Sequence, residues 1–239
     1  MISKSEIKSI TQLQQKKYRD SRNLFSAEGP KVIKELQAEG LKLHSFFSTE
    51  IAKGTQTNHR HITPQQLKKI SSLKAANTSL AVFEKPTLKK IEDTGLIIAL
   101  DAVRDPGNLG TIIRLCDWFG VTQLVCSEDT ADCYNPKVIQ ATMGSIARVA
   151  VHYVSLAEML QNSKLPVFGA FMDGKNVYKR TLPQEGIIVM GNEANGVSAE
   201  ISALISEKIS IPQFGSVTTE SLNVATATAI LLSEFKRSY

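Results

Sequence analysis

Three segments of this chain carry asparagine, glycine and charged side chains at the edges of apolar runs, the composition of ligand-binding loops at strand ends. The first, DPGNLGTIIRLCDWFG (105–120), turns at Pro106 and Gly107, offers Asn108 as a helix cap and carries Arg114 nearly two turns into the helix. The second, VMGNEANGVS (189–198), sets Gly191, Glu193 and Gly196 behind an apolar strand. The third, IPQFGSVTTESLNVATATAILL (211–232), is a loop running into a long helix with an Ala/Thr-rich start. Singly, each has an ordinary reading. Glycines after strands are usually turns, an arginine on a helix is a surface ion-pair former, and a lone glutamate favours a helix start.

Other chemistries lack their residues. Neither GxGxxG nor GxxxxGK[ST] occurs, so a dinucleotide site and a P-loop are both unsupported. The four histidines (His44, His59, His61, His152) show no HExxH spacing, and no G-x-S-x-G elbow is present. His59 and His61 flank Arg60 in an expected polar loop, where RNA contact and plain solvation are both open. Cys116, Cys126 and Cys133 form no CxxC pair, so they are expected as buried reduced thiols, with no metal site.

The elements that must position these loops follow from the pattern of the chain. Of 239 residues, 42% are hydrophobic and 21% charged, the balance of a globular protein with one or two domains. Apolar runs such as Leu96–Leu100 fall far short of the ~20 residues of a membrane helix. The opening MISKSEIKSI has no apolar core, so no signal peptide is expected, and the expected location is cytoplasmic. Charge is divided unevenly. Residues 1–92 hold 17 Lys and Arg against 8 Asp and Glu, whereas 93–239 hold 11 against 15. A basic module joined to a mildly acidic one suggests a polyanion-binding domain at 1–92 and a second domain at 93–239, with FEKPTLKKIEDTG (83–95) as the linker.

In the first domain, Ser3 and Glu6 form a capping box, a second helix runs from Pro30 to Gly40, and a third starts at Thr63-Pro64. Strands are expected at 41–49 and 79–84. In the second domain, strands at 96–103, 123–128, 147–154, 166–173, 186–193 and 208–214 alternate with helices at 108–119, 136–144, 155–163, 198–206 and 221–237. These strands are near-continuous Val, Ile and Leu, the mark of a mainly parallel sheet covered on both faces. The expected fold class is a three-layer α/β sandwich, with ligands beyond the carboxyl ends of its strands.

Taken together, the three segments resemble in order and spacing the three motifs of the SpoU/TrmH family of RNA ribose 2′-O-methyltransferases, within the SPOUT superfamily. The matching residues are Asn108-Leu109-Gly110 through Arg114, then Gly191-Asn192-Glu193-Ala194-Asn195-Gly196, then Ile211-Pro212 with Ser221-Leu222-Asn223-Val224. Ala225 stands where many members carry serine. Segment FSAEGPKVIKE (25–35) is similar to the family's ribosomal-protein-like substrate module.

The resemblance implies transfer of a methyl group from S-adenosylmethionine to structured RNA, ribosomal rather than transfer RNA, by a homodimer with a C-terminal trefoil knot. A tRNA 2′-O-methyltransferase and a non-catalytic RNA-binding or ribosome-assembly protein are the alternatives. The resemblance further implies Arg114, Asn108, Glu193 and Asn223 as catalytic residues. For the cofactor it implies Gly191, Ile211, Leu222, Thr142, Met143 and Gly144, and for RNA contact Arg22, Glu28 and Lys31. The residue chemistry adds one constraint. A guanidinium is essentially always charged, so Arg114 suits a phosphate or a developing alkoxide better than proton abstraction.

Overall fold

The computed structural model describes residues 2–50, 58–215 and 221–237. The chain folds into two compact units, one of Met1–Thr87 with Asp132–Ala147, the other of Leu88–Ala131 with Arg148–Tyr239. These units differ from a single cut after residue 92, because a stretch from the middle of the chain belongs to the first.

The first unit opens with α1 (Lys4–Gln12), where the expected capping box is present: Glu6 N–H donates to Ser3 Oγ at 3.2 Å and Ser3 N–H to Glu6 Oε2 at 3.0 Å. Two elements then follow that hydropathy does not announce, α2 (Lys16–Arg22) and β1 (Leu24–Glu28). Helix α2 reads KKYRDSR, with no apolar stripe, and it ends at Asn23 in the left-handed region (φ 55°). Helix α3 (Pro30–Ala38) and α4 (Pro64–Ile70, capped by Thr63) lie where Pro30 and Thr63-Pro64 put them. The sheet has the order β1-β4-β2-β3, with β2 at Leu43–Ser48, β3 at His59–His61 and β4 at Ser79–Glu84. Pairing is antiparallel except between β2 and β3. The polar His59-Arg60-His61 stretch is thus an edge strand rather than a loop, and Arg60 pairs with Glu6. Ile10, Leu13, Phe47, Leu67, Ile70, Leu80 and Val82 form a core beneath it.

Asp132–Ala147 joins this unit through specific contacts. Arg19 is 2% exposed, and its Nε donates to Asp132 Oδ2 at 3.0 Å while Nη1 donates to the Leu13 carbonyl at 2.8 Å. The Tyr134 ring packs on Phe25 (centroids 4.9 Å apart) and beneath the Lys85 ammonium at 5.0 Å. Burial pushes the Tyr134 phenol well above its usual range. Helix α6 (Pro136–Thr142) follows and ends at Met143 in the left-handed region.

The second unit is an α/β layer structure around a six-stranded sheet, β10-β8-β9-β5-β6-β7. Its strands are β5 (Leu96–Leu100), β6 (Gln123–Cys126), β7 (Ala150–Tyr153), β8 (Val167–Asn176), β9 (Gly186–Met190) and β10 (Glu207–Ser210). Every described pairing in this sheet is parallel, as the apolar runs require. On one face Ile97, Ala99, Val125, Ile187 and Val189 pack with Leu156 and Leu160 of α7 (Leu156–Asn162) and Ile201 of α8 (Ala199–Ser202). On the other face, Phe168 of β8 meets Phe235 of α9 (Val224–Lys236) edge-on at 5.2 Å. Helix α5 (Pro106–Trp118) buries Leu109, Ile112, Ile113 and Cys116. The three cysteines are buried and form no disulfide with one another, and desolvation pushes the Cys116 thiol far up.

Removing one member of a buried ion pair strands the other charge. Asp132→Ala is therefore expected to cost about 3–5 kcal/mol in urea unfolding, while the double variant Arg19→Met, Asp132→Leu recovers much of it. An unchanged midpoint in Asp132→Ala would show that the 132–147 stretch contributes little to the first unit.

Candidate functional site

Each of the three sequence segments sits at the carboxyl end of a strand of the parallel sheet or at the start of the helix beyond it. After β5, Asp101 is buried and Oδ2 accepts from Ser198 N–H at 2.7 Å. Asp105, not Asn108, caps α5: its Oδ1 accepts from Asn108 N–H at 2.8 Å. Asn108 is consequently the third helical residue, and its side-chain amide is released for other partners.

After β9 the chain makes a tight loop. Asn192 and Gly196 exchange two backbone hydrogen bonds of 2.9 Å, and Asn192 Oδ1 accepts from the N–H groups of Ala194 and Asn195. Asn192 Nδ2 then reaches across to the Ala102 carbonyl at 2.6 Å, stapling the loop to the end of β5. Gly191 is needed here by contact. A Cβ on it would lie 2.2 Å from the Gly196 carbonyl carbon and 2.3 Å from the Val197 nitrogen. Gly196 answers a different demand, a left-handed φ of 67°.

The third segment reaches the site through a helix cap. Asn223 Oδ1 accepts from the N–H groups of Ala225 at 3.0 Å and Thr226 at 3.2 Å, satisfying two orphan donors of α9. With its oxygen committed, Asn223 can only present Nδ2, which donates to Asn108 Oδ1 at 2.9 Å. Asn108 in turn presents Nδ2, which donates to Glu193 Oε1 at 2.9 Å. One relay, Asn223 to Asn108 to Glu193, thus joins residues 115 and 85 positions apart in the chain.

Beside the relay lies an open cleft of about 1300 Å³ in the second unit. Gly191, Glu193, Ile211, Leu222 and Asn223 all line it. Its walls mix main-chain segments with apolar side chains, and Leu222 stays 47% exposed. The wall from β8 owes its shape to a break in the β8–β10 ladder. Lys208 pairs with Gly169 but Ile209 pairs with Lys175, so Ala170–Gly174 leave the ladder and line the cleft up to Asp173. Gly174 permits this, since a Cβ there would fall 2.5 Å from the Ile209 backbone.

Arg114 is exposed on α5 and has no hydrogen-bond or ion-pair partner among the described residues. It lies roughly 9 Å further along the helix axis than Asn108. Neither Asn108 nor Arg114 is among the residues lining the cleft. Residues 216–220 of the third segment fall outside the described residues.

The remaining expected site residues belong to the first unit. Thr142 is fully buried and donates to the Ile139 carbonyl at 2.8 Å, Met143 follows at φ 52°, and Gly144 (φ 103°) leaves no room for a Cβ against Glu35. Their expected share in cofactor binding rests on the resemblance alone. Arg22 donates to the Ser9 carbonyl and hydroxyl at 2.9 Å and lies 5.3 Å over the Tyr18 ring, while Lys31 is exposed on the first turn of α3. Glu28 needs a correction. Its carboxylate is buried and accepts from Ser71 Oγ, Ser72 N–H and Ser72 Oγ at 2.6–2.7 Å, so it holds the turn after α4 and has no face for RNA. Asp101, Asp105 and the cap role of Asn223 were not singled out by motif reading, though an Asp-Pro step before an apolar helix is itself a cap signal. Among the described residues no cluster of three metal-ligating side chains occurs, and no helix is long and apolar enough to cross a membrane.

Comparison with known proteins gives the following. A profile of the SpoU rRNA Methylase family matches residues 95–233, and one of the MRM3-like substrate binding domain matches residues 4–93. The 23S rRNA guanosine 2′-O-methyltransferase RlmP of Bacillus subtilis is 28% identical over 95% of this chain and 94% of its own. A TrmH-family protein from Porphyromonas gingivalis superposes over all of both chains with a TM-score of 0.90 and 34% identity. The AdoMet-bound rRNA methyltransferase from Sinorhizobium meliloti superposes over 100% of this chain and 97% of its own, with a TM-score of 0.87 and 26% identity.

The relay's polarity sets a test. Asn108→Asp places an oxygen against Glu193 Oε1 where a donor stood, so it should destabilise the second unit more than Asn108→Ala, by about 1–2 kcal/mol. Adding Glu193→Gln to Asn108→Asp should restore most of that difference in a double-mutant cycle read by thermal unfolding. Equal losses for the Asp and Ala variants would mean that the relay is not formed in solution.

Proposed function

The chain belongs to the SpoU rRNA methylase family, and from that membership we propose that it transfers the methyl group of S-adenosylmethionine to a ribose 2′-hydroxyl of ribosomal RNA. The observation that carries the reading is the Asn223–Asn108–Glu193 relay, because it ties all three motif segments into one site.

The cleft suits the cofactor. Gly191 lets the loop after β9 close on the Gly196 and Val197 backbone at the cleft's edge, and Ile211 and Leu222 supply apolar walls with main-chain groups for an adenine edge. When bound, S-adenosylmethionine supplies a methyl carbon already activated by a cationic sulfur. The protein's own work is then alignment and charge management. Glu193 and Asn108 hold the loop after β9 against α5, and Asn223 fixes the opposite wall. Arg114, with a free and permanently charged guanidinium, grips an RNA phosphate or steadies the negative charge growing on the 2′-oxygen. The basic residues of 1–92, Lys31 and Arg22 among them, hold the RNA through its phosphates, and 93–239 carries the transfer. With this reading go a homodimer, a trefoil knot formed by the loops around the cleft, a ribosomal-protein-like first domain, and a cytoplasmic site of action.

The decisive experiment is transfer of labelled methyl from S-adenosylmethionine to RNA by the purified chain, with ribose methylation mapped on ribosomal RNA. Arg114→Ala should lower kcat by about 10²–10³-fold and leave cofactor affinity by calorimetry within twofold. Normal turnover in that variant overturns the assignment. Phosphate contacts also make RNA affinity fall steeply with salt, and Lys31→Ala should reduce the log–log salt slope by about 1 unit. An unchanged slope removes Lys31 from the RNA surface.

A further inference from the structure

The charge inside the cleft is one-sided. Among the described residues that line it, the ionisable side chains are Asp173 and Glu193, with no lysine or arginine. Glu193 already accepts from Asn108, whereas Asp173 has no hydrogen-bond or ion-pair partner among the described residues. Nearby cations are engaged elsewhere. Lys175 lies 3.7 Å from Glu207, and Lys208 sits over the Phe171 ring at 4.4 Å. Asp173 lies in the stretch Ala170–Gly174 that the register break leaves out of the β8–β10 ladder, and it lines the cleft.

We propose that Asp173 makes this cleft select a cationic sulfonium over a neutral thioether, so that the methyl donor is bound in preference to the spent product. The inference rests on the cofactor reading above. Methyl transfer breaks the S–CH₃ bond, returns its electron pair to sulfur and forms the O–CH₃ bond as the hydroxyl proton passes to solvent water. Donor and product therefore share adenine, ribose, ammonium and carboxylate, and differ in one methyl group and one positive charge. Asp173 is exposed at the cleft wall, so its carboxylate acts on that charge difference through a solvent-screened attraction that needs no direct contact. Among the described residues no lysine or arginine lines the cleft to oppose that attraction directly.

The test is isothermal calorimetry on the full chain with S-adenosylmethionine and S-adenosylhomocysteine. The wild-type chain should bind the donor more tightly, and Asp173→Asn should shrink the donor-to-product affinity ratio about two- to fivefold. Binding of S-adenosylhomocysteine should stay within twofold, Asp173→Glu should keep the ratio, and added salt should compress it in the wild type. Equal weakening of both compounds, or an unchanged ratio in a folded Asp173→Asn, overturns the proposal, since a structural or ribose-contacting role would produce those results. Failure of the wild-type chain to bind either compound overturns the cofactor reading itself, and this inference with it.

Discussion

The Asn223 side-chain oxygen has two backbone donors to satisfy at the start of α9, and the orientation of the whole site follows from that obligation. A side-chain amide has one acceptor end and one donor end. Once the acceptor end closes the helix, only the donor end faces Asn108, and Asn108 must then turn its own donor towards Glu193. The polarity of three side chains is thus set by a helix cap worth about 1 kcal/mol, and the same cap places the third segment. Two thirteen-residue helices, α5 and α9, bring their N-termini to this point. Their positive ends suit the one carboxylate of the relay, so Glu193 fits the junction electrostatically as well as by hydrogen bonding.

Much of the second unit was legible because its signals are local. Near-continuous apolar runs specify buried parallel strands, and glycine and proline mark where those strands end. The observed strands are often shorter than the apolar runs: β9 stops at Met190, because Gly191 must press its backbone against Gly196 to turn the loop. Assigning the α5 cap to Asn108 misjudged the start by three residues. Asp105 before Pro106 competes better, with a carboxylate oxygen where the first turn's N–H groups point. The relay itself could not be read from the chain. Motif order says that Asn108, Glu193 and Asn223 belong to one site, but only the Asn223 cap fixes which atom of each faces which.

The first unit shows the opposite case. Helix α2 has no apolar periodicity, and its buried residue is an arginine, Arg19, whose carboxylate partner stands 113 residues away. No window of sequence contains both, so neither the helix nor the membership of Asp132–Ala147 has a local signature. Glu28 teaches a related lesson. The resemblance implies it as an RNA contact, yet three donors from Ser71 and Ser72 claim it. A buried carboxylate with its lone pairs filled by hydroxyls and a backbone N–H is a structural group, whatever the motif around it suggests.

The distribution of charge over the second unit resolves a conflict that the proposed chemistry contains. A sulfonium donor is a cation and its acceptor strand is a polyanion, so a surface that favours one repels the other. The cleft holds carboxylates and no described cation, while the unpaired guanidinium of Arg114 lies on α5 outside the cleft lining. Moving Arg114 into the cleft wall would add its charge to that of the sulfonium and weaken donor binding. Moving Asp173 out beside Arg114 would oppose the phosphates that the guanidinium is free to meet. A single helix thus divides the two demands. Its first turn carries Asn108 into the relay beside the cleft, and its third turn carries Arg114 outside the cleft lining.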